Sequence, residues 1–134
     1  MSRPASNPCE NLPQQTVGPL KGIARSALRA WARQSNQQVI EVDLESCTDK
    51  LSVLREIGRA FALPGWFGLN LDALYDALTD LPEQKGKVGY VVVLDKLPRV
   101  GNFDAEQRDA LLDVFRDVAE SYAELGIPFR VLYR

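Results

Sequence analysis

One apolar run limits the folds open to this chain more than any other feature, the segment Tyr90-Val91-Val92-Val93-Leu94. β-Branched residues favour strands, and a run without polar alternation predicts a strand that is buried on both faces. Strands of this kind belong to parallel sheets whose faces are covered by helices. A parallel neighbour is reached through a crossover connection, which is usually an α-helix. The run therefore predicts an α/β fold.

Helical and strand patterns on both sides of this run complete such a fold. Apolar residues recur every three or four positions in the helical segments, whereas the strand segments are rich in β-branched and aromatic residues. In chain order we predict a strand over Gln38–Leu44, a helix carrying Leu51 to Phe61, a helix over Leu69–Thr79, the strand Tyr90–Leu94, a long helix after Asp104 and a strand over Phe129–Tyr133. This order predicts a three-stranded parallel sheet packed with helices.

The first 34 residues have a different composition. Residues 1–19 contain four prolines and no apolar period, so we predict a flexible extension. An additional helix is predicted over Leu20–Gln34, with a basic residue at every fourth position, namely Lys21, Arg25, Arg29 and Arg33. Such a basic amphipathic helix is compatible with contact to RNA or a membrane surface. The solvent side of a packed helix has the same pattern, and we favour that interpretation.

The residue types narrow the class of function. The chain has no histidine, the side chain on which many acid–base mechanisms and transition-metal sites depend. An enzyme with this composition would have to work through Asp, Glu, Lys, Tyr or Cys alone, which makes catalysis less expected. We predict a protein that is not an enzyme and that needs no cofactor or metal. No apolar run approaches the roughly 20 residues of a membrane-spanning helix, and the N-terminus lacks a secretory pattern. Cys9 and Cys47 fit no disulfide framework, so we expect reduced thiols and a cytoplasmic location.

Acidic residues are concentrated in the second part of the chain. Residues 1–34 carry five basic and one acidic side chains, a net charge of +4, whereas residues 35–134 carry eleven basic and seventeen acidic ones, a net charge of −6. Between Ala60 and Gln84 there is no Lys or Arg, but there are four acids: Asp72, Asp76, Asp80 and Glu83. Local acidity of this kind repels nucleic acid and attracts a basic partner. A solvated helix face without function has the same composition.

The predicted helix around 71–81 has two chemically different faces. At about 100° per residue, four leucines fall together and predict the core side: Leu71, Leu74, Leu78 and Leu81. The opposite side presents two carboxylates and a hydroxyl, with a phenol at the border: Asp72, Asp76, Thr79 and Tyr75. The helix thus contributes to the core on one side and presents polar groups on the other.

Two adjacent aromatic residues precede this helix in a loop bounded by glycines. Trp66 and Phe67 lie between Gly65 and Gly68, and neighbouring side chains in such a loop do not easily both point inwards. We therefore expect one of them to be exposed. Exposed aromatic side chains are typical anchors of protein–protein interfaces.

The segment over residues 63–79, LPGWFGLNLDALYDALT, resembles the signature of barstar and barstar-like ribonuclease inhibitors. The pattern of that family is LP-x-aromatic-aromatic-G-x-NLDAL-aromatic-D-x-LT. A weaker resemblance extends from Val39 to Tyr133 and includes Val114-Phe115-Arg116-Asp117. The resemblance implies a barstar-like domain over residues 35–134 with a three-layer α/β fold. It also implies an immunity protein, or antitoxin, that inhibits a ribonuclease.

The resemblance also implies which residues face the partner. They are Trp66, Phe67, Asn70, Asp72, Tyr75, Asp76, Thr79 and Asp117. Asp76 is implied to enter the phosphate-binding centre of the ribonuclease, where a carboxylate accepts charge-assisted hydrogen bonds from arginine. Asp72 and Asp117 are implied to extend the negative field that speeds encounter with a basic enzyme.

The sequence departs from barstar at several of these positions. Barstar has tyrosines at the positions of Trp66 and Phe67, a tryptophan at that of Tyr75, and glycine followed by tryptophan at those of Asp80 and Leu81. The expected partner is a basic ribonuclease of the barnase type or a related toxin. We expect no membrane partner, no nucleic-acid partner, and a monomer when the protein is free.

Other interpretations of the same residues stay open at this point. Asn70 is a preferred helix-capping residue, and Asp72 suits the first turn of any helix. A metal-dependent hydrolase could use Asp72 and Asp76 with Asp117, and a nucleic-acid module could use the Lys21–Arg33 stripe. A barstar fold that binds a non-ribonuclease toxin or another basic partner is the main alternative.

Overall fold

The centre of the protein is a parallel β-sheet of four strands. The computed structural model describes residues 8–65, 67–99 and 102–134. The strands are β1 (Gln15–Pro19), β2 (Gln37–Asp43), β3 (Gly89–Asp95) and β4 (Phe129–Tyr133), and they lie in the order β1-β4-β3-β2. All seven residues of the central strand β3 are buried. The predicted continuous apolar strand and the α/β class are therefore confirmed.

Four helices cover this sheet. They are α1 (Arg25–Gln34), α2 (Lys50–Ala60), α3 (Leu71–Thr79) and α4 (Ala105–Glu124). Short polar side chains fix where three of them begin, because each accepts a backbone N–H of the first turn that has no partner within the helix. The cap of α2 is reciprocal: Asp49 Oδ1 accepts the Ser52 N–H at 2.9 Å, and Ser52 Oγ accepts the Asp49 N–H at 3.2 Å. Asn70 and Asp104 cap α3 and α4.

The main core lies between one face of the sheet and the helices α2, α3 and α4. The predicted buried stripe of α4 is confirmed at every position: Leu111, Leu112, Phe115, Val118, Ala119 and Tyr122. On α3, Leu74 and Leu78 are fully buried, whereas Leu71 and Leu81 are partly buried and pack against the edge of the same core. Tyr122 also donates its hydroxyl to the Leu78 carbonyl at 2.6 Å, which joins α4 to α3.

A second core fills the opposite face of the sheet. A 3₁₀ turn over Pro8–Asn11 and helix α1 pack there against β3 and β4. The side chains involved are Cys9, Leu20, Leu28, Ala32, Val91, Val93 and Leu132. Alternate residues of β3 therefore enter different cores, and the fold has three layers.

The N-terminal segment corrects two expectations. The flexible extension was predicted over residues 1–19. Residues 1–7 of it lie outside the described residues, whereas Pro8–Asn11 form a 3₁₀ turn and Gln15–Pro19 form β1. The sheet therefore has four strands instead of three, because β1 pairs in parallel with β4. Two backbone hydrogen bonds fix the ends of β1. The Leu20 N–H donates to the Tyr133 carbonyl at 2.7 Å, and the Phe129 N–H donates to the Gln14 carbonyl at 2.8 Å. An edge strand exposes a row of unpaired N–H and C=O groups, and β1 satisfies those of β4.

Helix α1 begins at Arg25 rather than at Leu20, and its basic residues are partly paired with acids of the sheet. Arg25 contacts Glu41 at 2.8 Å and Asp95 at 2.7 Å, and Arg29 contacts Glu41 at 2.8 Å. Burial raises the pKa of the Asp95 carboxyl, but hydrogen bonds from Arg25 and Arg134 outweigh that effect and hold the pKa below its ordinary value. Hydrogen bonding from Arg29 and Arg25 likewise lowers the pKa of Glu41. Half of the predicted basic stripe thus contacts the protein itself.

Two further expectations concern membranes and thiols. Over the described ranges, none of the helices combines the length and the apolar character that crossing a bilayer requires. Cys9 and Cys47 are buried thiols in different cores, and burial raises the pKa of both.

Candidate protein-binding site

The polar face of α3 is set by how the helix is anchored at its start and along its buried side. Asn70 Oδ1 accepts the Ala73 N–H at 2.8 Å and so defines the first turn. Because Leu74 and Leu78 are fully buried, helical geometry turns the residues on the far side outwards. Asp72 and Asp76 are exposed there. Asp72 lies in the first turn, where the helix dipole favours a negative charge.

A groove of about 670 Å³ separates this face of α3 from α4. The apolar residues that line it are Leu71 and Val114. Four of the eight residues named from the sequence line it together: Asp72, Tyr75, Asp76 and Asp117. The groove thus brings residues that are about forty positions apart into one concave surface.

The groove is strongly acidic. Glu120 and Glu124 extend the row begun by Asp117 along α4, so that five carboxylates line it. Within the described residues, no Lys or Arg lines the groove and none of the five carboxylates forms an ion pair. Asp113 contrasts with them, since it binds Arg116 at 2.7 Å and does not line the groove. A concave surface with charges of one sign focuses the field and attracts ions of the opposite sign.

A second recess of about 490 Å³ lies on the other side of α3, against the loop that precedes the helix. Its walls include Phe67, Ala73, Ala77 and Leu81, and its acidic groups are Asp76 and Asp80. Asp76 lines both the groove and this recess. The central carboxylate of α3 is therefore accessible from two sides.

The aromatic pair before α3 is described only in part. Phe67 is partly buried and packs against the main core, and it lines the second recess instead of the acidic groove. The Phe67 ring packs against Gly58 of α2, where an added methyl group would lie only 3.2 Å from Phe67 Cδ1. Trp66 lies outside the described residues, so the expectation of an exposed aromatic at this pair stays a prediction.

The remaining two sequence-named residues, Asn70 and Thr79, do not line the acidic groove. The oxygen of Asn70 is engaged in the cap of α3. The Thr79 hydroxyl donates to the carbonyls of Tyr75 at 2.9 Å and Asp76 at 3.1 Å within its own helix. Thr79 lines a separate depression beside Tyr90 and Tyr122.

Sequence reasoning did not select Glu120 and Glu124 as site residues. Their spacing from Asp117, three and seven residues, does place them on one side of a helix. What the sequence lacks is the information that this side of α4 faces α3.

The structure also bears on the interpretation as a metal site. Across residues 8–65, 67–99 and 102–134, no three or more Asp, Glu, Cys or His side chains are grouped so that they could hold a metal ion.

These features define a class, small α/β proteins that present an acidic, concave helical surface. The match to known families is more specific. The model of the barstar (barnase inhibitor) family matches residues 37–134, from the start of β2 to the end of the chain. The chain therefore belongs to the barstar (barnase inhibitor) family, and the resemblance seen in the sequence is confirmed.

Family membership fixes the general character of the protein. Proteins of this family are inhibitors and not enzymes, and membership suggests a barnase-inhibitor role. The matched region contains α3 and α4 with the groove between them, whereas β1 and α1 lie before it. No curated protein is similar enough to the chain to count as a match.

Proposed function

We propose that this protein inhibits a barnase-type ribonuclease by covering its active site with the acidic face of α3 and the adjoining groove. One observation carries the proposal. Asp72, Tyr75 and Asp76 of α3 and Asp117 of α4 line a single groove whose carboxylates have no cationic partner in the described chain. A family of barnase inhibitors supplies the class of partner.

The chemistry of the target explains why a carboxylate suits this role. A ribonuclease holds the RNA backbone with basic side chains, chiefly arginine and lysine, which also bind carboxylates with charge-assisted hydrogen bonds. Asp76 is exposed in the middle of α3 and has no Lys or Arg three or four residues away. Its oxygens are therefore available to the arginines that would otherwise hold a phosphate.

The other acids of the groove contribute to encounter more than to contact. Charges spread over a concave surface raise the rate at which an oppositely charged partner arrives, and this effect weakens as salt rises. We assign this role to Asp72, Asp117, Glu120 and Glu124. Tyr75, which also lines the groove, has 37% of its surface exposed and offers both a ring and a hydroxyl to the partner.

In the cell, such an inhibitor would act as an immunity protein or antitoxin that protects the cytoplasm from a ribonuclease. The proposed target is a ribonuclease with a basic active site, which the inhibitor would cover by non-covalent binding. A non-ribonuclease toxin with a basic active-site cleft would fit the same groove, and the experiment below separates the two.

The test is inhibition of a purified barnase-type ribonuclease by the wild-type protein, by Asp76→Ala and by Asp109→Ala. Asp109 is an exposed aspartate of α4 that does not line the groove, so its variant makes the same change of charge elsewhere. We expect inhibition by the wild type and by Asp109→Ala, with at least a roughly 30-fold loss in Asp76→Ala. Inhibition should also weaken at high salt. Absence of inhibition by the folded wild type would overturn the ribonuclease target and favour a different toxin.

A further inference from the structure

The second recess, between α3 and the loop over 61–68, offers a contact that the acidic groove does not. We propose that it receives an arginine side chain of the partner, with Asp80 as the residue that selects it. This inference rests on the proposed function and identifies part of the surface that the ribonuclease contributes.

The walls of the recess suit an apolar stem. Phe67 and Leu81 are partly buried against the main core, and Gly58 leaves the space in which the Phe67 ring is held. Ala73 and Ala77 are one helical turn apart, and their short side chains leave a hollow beside α3. The methylene groups of an arginine or lysine cover apolar surface of this kind while the charged end stays near polar groups.

The acidic groups of the recess suit a guanidinium head. Asp76 of α3 and Asp80, the residue that follows the helix, are four positions apart, and both line the recess. Neither of the two forms an ion pair with a cation of the described residues. A planar guanidinium has five N–H donors in a fixed fork and can bind two carboxylates at once, which an ammonium group does less well.

The position of Asp80 argues against a purely structural role. Asp80 is exposed and forms the C-terminal cap of α3, where its backbone N–H donates to the Ala77 carbonyl at 3.3 Å. A carboxylate at this end of a helix is unfavourable, because the helix terminus already carries a partial negative charge. The side chain adds to the negative potential at the mouth of the recess, which a cation from the partner would neutralise.

The experiment measures association and dissociation rates with a barnase-type ribonuclease. The variants are Asp80→Asn, which removes the charge, and Ala77→Leu, which fills the hollow. Asp109→Asn is the matched control, since it makes the same charge change outside the recess. We expect dissociation to be about tenfold to one-hundredfold faster in Asp80→Asn and at least about tenfold faster in Ala77→Leu, with the control unchanged. Thermal unfolding of each variant verifies that the fold is intact.

A double-mutant cycle identifies the group that enters. Each exposed arginine of the ribonuclease is replaced by methionine, which keeps most of the stem and removes the charge, and is combined with Asp80→Asn. We expect one arginine to couple to Asp80 by about tenfold or more, because the two losses should not add. Coupling to a lysine alone, or to no residue, would overturn the inference.

The outcomes also separate this inference from the proposed function. Inhibition by the wild type, together with Asp80→Asn and Ala77→Leu variants that dissociate at the wild-type rate, would refute the arginine contact and leave the inhibitor function standing. A change in Asp80→Asn that is confined to a slower association and equals the change in Asp109→Asn would likewise refute the arginine contact, because it would show only a general effect of charge. Absence of any binding by the wild type would refute both.

Discussion

Replacing Asp76 by asparagine should make the free protein more stable while making it a worse inhibitor. Asp72 lies four residues before Asp76 and Asp80 four residues after it, so the central carboxylate has two like-charged neighbours on one helix face. Each such pair destabilises a helix by about 0.2–0.5 kcal/mol. Asp76→Asn removes both pairs and hardly changes side-chain shape or helix propensity.

The two pairs together give a gain of about 0.4–1 kcal/mol in the free energy of unfolding. For a chain of this size, the corresponding rise in Tm is about 1–5 °C. The gain should shrink at high salt, because exposed charges are screened. If Asp76 lies in the proposed interface, inhibition by the same variant should weaken at least about 30-fold, since a charged hydrogen-bond acceptor is removed.

A second variant, Glu56→Gln in α2, is expected to have the opposite effect on stability. Glu56 has no acidic residue three or four positions away, and its carboxylate contacts Arg59 at 3.0 Å. Glu56→Gln should therefore lower the free energy of unfolding by about 0.2–0.5 kcal/mol and leave inhibition unchanged, because Glu56 does not line the groove. Thermal and urea unfolding of the two variants at two salt concentrations tests both predictions. Inhibition is measured on the same samples. A loss of stability in Asp76→Asn at low salt would refute the like-charge argument.

Two further predictions concern the layer formed by the N-terminal segment. Leu28→Ala, in the second core, should destabilise the protein by about 2–5 kcal/mol in urea unfolding, whereas Leu125→Ala, at a position 68% exposed, should change little; equal effects would mean that α1 does not contribute to the core. The pKa values of Glu41 and Asp95 are lowered in the folded protein, so the stability they contribute should be present above about pH 4, the ordinary range of these carboxyls, and decline as pH falls through the lower folded-state values. Arg25→Met should flatten this decline in unfolding measured between pH 6 and pH 2, and an unchanged pH profile would contradict the role of the ion pairs.

Sequence patterns predicted the helices and strands whose own residues carry a long and regular apolar pattern. The run Tyr90–Leu94 and the stripe from Leu111 to Tyr122 are long and regular, and the structure buries both. Strand β1 gave no such signal, because five residues that include Gly18 and Pro19 form a strand only through pairing with β4. Strand formation at an edge depends on tertiary context more than on intrinsic preference.

The site was predictable where a single helix contains the information. The polar face of α3 follows from helical periodicity, so Asp72 and Asp76 could be named without a structure. The contribution of α4 could not, because periodicity does not tell which side of one helix faces another. For the same reason the basic residues of α1 resembled a free charged stripe, although Glu41 lies opposite Arg25 and Arg29.

Successive side chains of β3 point to opposite faces of the sheet, so neighbouring residues of this strand belong to different cores. Val92 supports the layer that carries the candidate interface, whereas its neighbours Val91 and Val93 support the N-terminal layer on the reverse side. Substitutions in α1 that keep the second core packed should therefore leave the groove between α3 and α4 unchanged. The two layers can vary separately as long as the strand between them keeps its apolar side chains.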